Sequence, residues 1–239
     1  MNIRHHPVRR RAFTLIEMLV VMAVIVILAG LTISGFGVIK KKTRIARVQG
    51  ELARLQTAIE SYKQALGFYP PDNPPPQPPP SPLSPEAAKE IWACSTPLFY
   101  ELSGTVILGG TYQVVDGSET IGTNVIQQYF GRAGFANASL DTNQVKTFLP
   151  SLRSTQYKEA FQGVDVELLV VPVEGVVLTN NVGATPWRTG TESVNPWRYV
   201  STKPVHNTGE FDLWTDIRIG SKFYRISNWA EPQEFTPVP

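Results

Sequence analysis

The chain has few of the residues that build covalent or metal-held folds. Among its 239 residues there are one cysteine, Cys94, and three histidines. A single thiol cannot form an intrachain disulfide, and this set is too small for a Cys/His zinc site. Charged residues make up only 18% of the chain and hydrophobic residues 42%. This composition excludes a wholly disordered protein and predicts one globular core with an appendage.

Positive charge is also scarce beyond the start of the chain. The net charge is +2, but four of the 22 basic residues lie within the first twelve positions. Without them, 18 basic residues face 20 acidic ones. We therefore expect no basic surface for a phosphate backbone and no nucleic-acid partner.

The usual catalytic motifs are missing. The sequence has no Gly-x-Ser-x-Gly elbow, phosphate-binding loop or His-Glu-x-x-His pair, and His206 is the only histidine after position 6. We therefore expect a protein that is not an enzyme and that needs no catalytic cofactor.

One long apolar run is present, and it predicts a membrane span. Residues 13–39 carry a single charge, that of Glu17, and three lysines follow. A helix of this length reaches roughly 40 Å, against a hydrocarbon core of about 30 Å. Insertion tolerates Glu17, because an acid at mid-membrane costs about 3 kcal/mol, less than the apolar residues of the run contribute. Glu17 either has a functional partner or lies at headgroup level.

An apolar stripe continues beyond the lysines, at intervals of three and four. It comprises Ile45, Val48, Leu52, Leu55, Ile59, Tyr62 and Leu66. This spacing predicts the amphipathic half of the same helix over residues 40–67, ending at Gly67. The stripe fits a coiled-coil seam or a face packed on the chain's own sheet, and the second is favoured because only three heptads are present.

Prolines crowd into the next segment. Ten of the 20 prolines lie between positions 70 and 85. Residues 68–90 are therefore predicted to be an extended linker, which serves as a tether or as a ligand for an aromatic groove.

The last part of the chain, residues 91–239, is predicted to be a β-rich globular domain. Its candidate strands are rich in β-branched and aromatic residues and cover 106–115, 164–178, 197–201, 211–219 and 222–229. Gly220-Ser221 suits a tight hairpin turn. The sequence thus predicts an α+β fold, with the long helix packed on a small antiparallel sheet.

Residues 10–17 read Arg-Arg-Ala-Phe-Thr-Leu-Ile-Glu, a basic peptide and a small residue before the apolar helix. This segment resembles the prepilin leader of type IV pilins and of type II secretion pseudopilins. The resemblance implies a pilin-like fold and cleavage between Ala12 and Phe13 by a prepilin peptidase, with N-methylation of Phe13. Residues 1–12 would then be the leader. The family usually has glycine at the position of Ala12, so we expect slower cleavage here.

The resemblance also implies a role for Glu17 in assembly. In such filaments the matching acid neutralises the amino-terminal charge of a neighbouring subunit, and opposite charges attract strongly in an apolar bundle. The expected partners are other copies of the chain, other pseudopilins, the peptidase, an inner-membrane assembly platform and membrane lipid. The expected location is the bacterial cytoplasmic membrane, with one span and the C-terminal domain outside.

The C-terminal blocks show a second, looser resemblance to major pseudopilins. These blocks are residues 195–197, 211–214 and 226–229. Major pseudopilins commonly bind calcium through acids just before the last block, where this chain has Phe223 and Arg225. A metal is therefore not expected. The weak calcium candidates are Glu210, Asp212 and Asp216.

Together these features predict a structural subunit of a type II secretion pseudopilus. A surface type IV pilin for adhesion, motility or DNA uptake is the first alternative. A membrane-anchored periplasmic binding domain that never polymerises is the alternative from another class. The exported cargo and the choice between a major and a minor subunit are not encoded in any of these motifs.

Overall fold

The computed structural model describes residues 14–74, 92–161, 164–175, 188–189 and 192–236. Its chain divides into two compact units, Met1–Thr43 and Arg44–Pro239. The first contains the start of the N-terminal helix, and the second contains the rest of that helix and all the strands.

Helix α1 spans Leu15–Leu66, 52 residues. The continuous N-terminal helix predicted from the sequence is thus confirmed over the described part. Gly67 ends it, and its amide donates to the carbonyl of Lys63 at 2.8 Å. This bond satisfies one of the carbonyls that a helix end leaves without an intrahelical partner.

The apolar stripe of α1 packs against the chain's own domain. The side chains of Val48, Leu52, Leu55, Ile59 and Tyr62 are at most 6% exposed. They belong to the same hydrophobic core as residues of the C-terminal strands. Burial on the chain's own sheet, the favoured interpretation of the stripe, is therefore confirmed.

Shorter helices and twelve strands follow α1 in the ranges that the structure describes. The helices are α2 (Leu98–Ser103) and α3 (Thr123–Phe130), with a 3-10 turn at Thr142–Gln144. The strands are β1 Thr105–Leu108, β2 Thr111–Val114, β3 Thr120–Gly122, β4 Ala138–Ser139, β5 Tyr157–Phe161, β6 Val164–Leu169, β7 Arg188–Thr189, β8 Glu192–Ser193, β9 Arg198–Val200, β10 Asp212–Ile219, β11 Lys222–Ser227 and β12 Gln233–Phe235.

The described strands form two larger sheets and two hairpins. The larger sheets have the orders β3-β2-β1-β4 and β12-β11-β10-β9, and the hairpins are β5-β6 and β7-β8. Only the β1–β4 pair is parallel among the described strands. The α+β class is confirmed, but the strands do not form the single small antiparallel sheet that we expected.

Two turns show where the strand predictions succeeded and failed. The run 106–115 was expected to be one strand, but it folds back at Gly109-Gly110 into β1 and β2. Both glycines have positive φ, 56° and 91°, which a tight hairpin turn requires at its centre. The hairpin predicted at Gly220-Ser221 is confirmed between β10 and β11, with φ of 65° at Gly220.

The stretch directly after α1 is bonded to the domain. The Pro70 carbonyl accepts from the Tyr199 hydroxyl at 2.8 Å and from Ser201 Oγ at 2.9 Å. The Asp72 carboxylate accepts from the amides of Ser201 and Thr202, both at 2.9 Å. The first residues of the predicted linker are therefore held in place, and most of its prolines lie outside the described residues.

A buried acid on α2 connects α1 to this domain. Glu101 is 0% exposed, and its carboxylate accepts from the Tyr62 hydroxyl at 2.8 Å. It also accepts from the amides of Ala136 and Asn137, each at 2.9 Å. Burial raises the pKa of the Glu101 carboxyl, and these hydrogen bonds oppose that rise. The carboxylate thus joins α1, α2 and the loop before β4.

Tyr62→Phe should destabilise the domain, because the Glu101 carboxylate would lose one of three donors while remaining buried. We expect a loss of about 1–3 kcal/mol in the free energy of unfolding, measured by urea denaturation. Tyr69→Phe is the matched control, since the Tyr69 hydroxyl donates to the partly exposed Glu60 at 3.1 Å. Equal losses in the two variants would contradict the role assigned to Glu101.

Candidate functional site

The first described residues of α1 form a capping box. Thr14 donates to Glu17 Oε2 from its amide at 2.8 Å and from its hydroxyl at 2.9 Å. The Glu17 amide donates back to Thr14 Oγ1 at 3.3 Å. Each residue satisfies a donor that the helix start leaves without a partner. The sequence Thr-Leu-Ile-Glu therefore fixes where α1 begins.

The residues after this cap are apolar on every side of the helix and are exposed in the single chain. Large apolar side chains between Leu15 and Leu28 are 48–84% exposed. Soluble monomers rarely expose so much contiguous apolar surface, and such a surface is typical of contact with lipid or with other protein chains.

The described residues do not include the whole of the predicted processing and membrane region. Ala12 and Phe13, the predicted cleavage and methylation residues, lie outside them. Over the ranges that the structure describes, no helix combines the length and the apolar character of a membrane span. The span expected over residues 13–39 stays a prediction.

The three weak calcium candidates lie along or next to one strand. Asp212 and Asp216 belong to β10, and Glu210 precedes that strand and is exposed. In the part of the chain that the structure describes, no three acidic, histidine or cysteine side chains come together as metal ligands. The expectation that these residues bind no metal stays a prediction.

The carboxylate of Asp212 is occupied by a loop of the chain itself. Asp212 is 3% exposed. Its oxygens accept from the amides of Val205 at 2.7 Å, His206 at 2.9 Å and Asn207 at 2.9 Å. Three backbone amides thus occupy both carboxylate oxygens. Asp212 therefore shapes the loop before β10.

Asp216 forms an ion pair with the residue opposite it on β11. Arg225 is its direct cross-strand partner, and Arg225 Nε lies 2.8 Å from Asp216 Oδ1. A second bond joins Arg225 Nη2 to Asp216 Oδ2 at 2.9 Å. This two-pronged geometry is the strong form of an arginine–carboxylate pair. The guanidinium of Arg225 thus neutralises Asp216. Arg225 stands at one of the two positions where the resembling pseudopilins carry a calcium-binding acid.

Our sequence interpretation missed two buried acids, Glu101 and Glu167. Glu101 had a usable signal, because it is the single charge within the apolar run Leu-Phe-Tyr-Glu-Leu over residues 98–102. That is the same pattern by which Glu17 was noticed. Glu167 gave a weaker signal, because Asp165 and Glu167 alternate with apolar residues in a pattern typical of an exposed strand face, whereas the Glu167 side chain is 9% exposed.

Comparison with known proteins identifies the start of the chain. A family model described as the prokaryotic N-terminal methylation motif matches residues 8–33. This match contains the predicted cleavage residues and Glu17. No curated protein and no solved structure matches the chain. The motif indicates a membrane-anchored, type IV pilin-like substrate of a prepilin peptidase.

Arg225→Met should destabilise the C-terminal sheet, because Asp216 is 3% exposed and would lose its principal counter-ion. We expect about 2 kcal/mol less unfolding free energy by urea denaturation, since Asp216 loses two charge-assisted hydrogen bonds and keeps the more distant Arg198, whose Nη2 lies 3.9 Å from Asp216 Oδ2. Lys222→Met is the control, because the pair of Lys222 and Glu234 is exposed and should contribute far less.

The pair of Arg225 and Asp216 also bears on the calcium expectation. Titration calorimetry of the wild-type protein should show no calcium binding, because the guanidinium already neutralises Asp216. Calcium binding by the wild-type protein that Asp216→Asn abolishes would contradict this assignment.

Proposed function

We propose that this chain is a structural subunit of a type II secretion-type pseudopilus. The observation that carries the proposal is the methylation motif over residues 8–33, with Glu17 held by a capping box at the start of an exposed apolar helix. On this proposal the chain breaks and makes no bonds in a substrate. Its contribution is assembly through α1.

The capping box supports a role for Glu17 near the trimmed end. Cleavage between Ala12 and Phe13 would create an ammonium group one residue before Thr14, and the Glu17 carboxylate lies 2.8 Å from the Thr14 amide. A carboxylate facing this end of the helix can neutralise an ammonium group at low dielectric. In the proposed filament, Glu17 neutralises the ammonium group at the trimmed end of a neighbouring copy and not that of its own chain.

The apolar start of α1 supports assembly within or beside lipid. Its large side chains are exposed on all sides in the single chain, so one partner surface cannot cover them all. A bundle of such helices, anchored in the cytoplasmic membrane, covers them with each other and with lipid. Other pseudopilins, the prepilin peptidase and an inner-membrane assembly platform are the proposed partners, and the domain is placed outside that membrane.

A surface type IV pilin is the second candidate, and one observation favours it. Arg225, which pairs with Asp216, stands where the calcium-binding major pseudopilins have an acid. This departure weakens the link to secretion while leaving the assembly mechanism unchanged. A non-polymerising anchored domain is the candidate from another class, and the two measurements below distinguish it.

Processing is tested by the intact mass of the chain purified from membranes of a host that has the peptidase. We expect the loss of residues 1–12 and the gain of one methyl group. An unprocessed chain, or a chain that starts beyond Gly35, contradicts a prepilin-type substrate. Ala12→Gly is the matched variant and should be processed faster, because glycine is the usual residue at this position in the resembling family.

Assembly is tested by substitutions of Glu17 that separate its charge from its capping bonds. Glu17→Ala removes both, whereas Glu17→Gln keeps an oxygen that can accept from Thr14. We expect both variants to insert in the membrane and both to yield no filaments in a shearing assay, because the charge is what neutralises the ammonium. Filaments formed by Glu17→Gln at wild-type yield would reduce the role of Glu17 to capping.

A further inference from the structure

Four acidic side chains meet on one side of the β5-β6 hairpin. Glu159 and Glu167 are direct cross-strand partners, and Asp165 shares their face because side chains alternate along a strand. Glu119 lies just before β3, which packs against β6. We call Glu119, Glu159, Asp165 and Glu167 the acidic cluster. Like charges placed directly opposite destabilise a sheet, so this arrangement carries an energetic penalty.

Glu167 is the buried member of the cluster. It is 9% exposed, and its Oε2 atom is inaccessible and has no hydrogen-bond partner among the described residues. Its backbone amide is occupied, since it donates to the Tyr100 hydroxyl at 2.9 Å. A buried carboxylate oxygen without a donor is unfavourable, so positive charge held near this carboxylate by its accessible neighbours lowers the cost of its ionisation.

The other acids add to this penalty. Burial raises the pKa of Glu167 to about 7, and the charges of Glu119, Glu159 and Asp165 raise it in the same direction. A folded-state pKa above the unfolded value means that stability falls as the pH rises through this interval. Near neutral pH, ionisation of Glu167 therefore adds a buried negative charge to a site that is already acidic.

The same chain carries a segment of the opposite charge. Five basic residues lie within eight positions, namely Lys40, Lys41, Lys42, Arg44 and Arg47. They are on α1, and Lys40, Lys42 and Arg44 are exposed. Long cationic side chains on a helix can reach carboxylates that come from two different elements, and guanidinium groups offer several donors in a fixed plane.

We propose that the acidic cluster is a binding site for ammonium and guanidinium groups, and that its occupant is the basic segment 40–47 of a neighbouring copy of the chain. This inference rests on the proposed function, because a filament brings copies of the chain together. Binding at the accessible members of the cluster places positive charge beside the Glu167 carboxylate and reduces the repulsion among the four acids. This ion pairing fixes the axial position of neighbouring copies, in addition to the pairing of Glu17 at the helix start.

A charge swap in the full-length chain tests this contact. Asp165→Lys and Arg44→Glu are both exposed substitutions, so they should leave the subunit folded. We expect each alone to lower the yield of sheared filaments at least about fivefold, because like charges would face each other. The variant with both substitutions should return to within about twofold of the wild-type yield. Glu231→Lys, at an exposed acid outside the cluster, is the control and should assemble normally.

The outcomes separate the two proposals. If the wild-type chain forms filaments and Asp165→Lys forms them at the same yield, the binding site is overturned and the proposed function stands. The same holds if the double variant assembles as poorly as the single variants. A wild-type chain that is processed into no filament overturns the proposed function, and the inter-subunit contact with it. Wild-type filaments that dissociate on addition of a chelator, while those of the double variant do not, would show a metal site instead and would overturn the proposal.

A second measurement examines the cluster in the single subunit. Glu167→Gln should raise the melting temperature of the detergent-solubilised subunit by about 2–4 °C at pH 8, because it removes an uncompensated buried charge. At pH 5 the two proteins should melt together, since Glu167 is then protonated in the folded state. A lower melting temperature for Glu167→Gln at pH 8 would show that Glu167 already has a cationic partner within its own chain, and it would overturn the proposal.

Discussion

The hydrogen bonds to the Glu101 carboxylate are the interaction on which the placement of the amphipathic helix half depends. Apolar burial along the stripe is strong but not directional, and it would tolerate a small slide of the helix. The Tyr62 hydroxyl donates to a fully buried carboxylate at 2.8 Å, and the amides of Ala136 and Asn137 donate to the same carboxylate. Any slide leaves a buried charge with too few donors. The bond therefore selects one register among several apolar ones.

The same rule governs each acid in this chain, and the acids differ in how they are satisfied. Glu101 and Asp212 are buried and accept from several donors of their own domain, and Asp216 has a guanidinium opposite it. Within the described residues, Glu17 has the local cap supplied by Thr14, and the large apolar side chains around it are exposed. Glu167 has an oxygen with no donor among the described residues. Glu17 and Glu167 are the acids for which we propose partners in other copies.

Sequence periodicity predicted the elements that rest on local rules. The stripe from Ile45 to Leu66 predicted both the helix and its buried face, because an apolar face repeats every three or four residues whatever the domain beneath it. The hairpin at Gly220 was predictable for a similar reason, since its turn is encoded in two residues. By contrast, run 106–115 is rich in β-branched residues on both sides of its two glycines, and these glycines mark where it folds back. Their significance became clear once β1 and β2 were seen to pair.

The sequence by itself determined the processing motif over residues 8–33, the long helix, the apolar side that it buries and the class of the fold. These features follow from spacing along the chain, which short-range sterics and hydrophobicity convert into structure. Only the tertiary structure decided which acids are buried and what each one meets. Glu101 meets Tyr62 across 39 residues, and Glu167 faces acids from another strand and a distant turn. Long-range pairing of this kind depends on how whole elements pack, and no local pattern in the sequence records it.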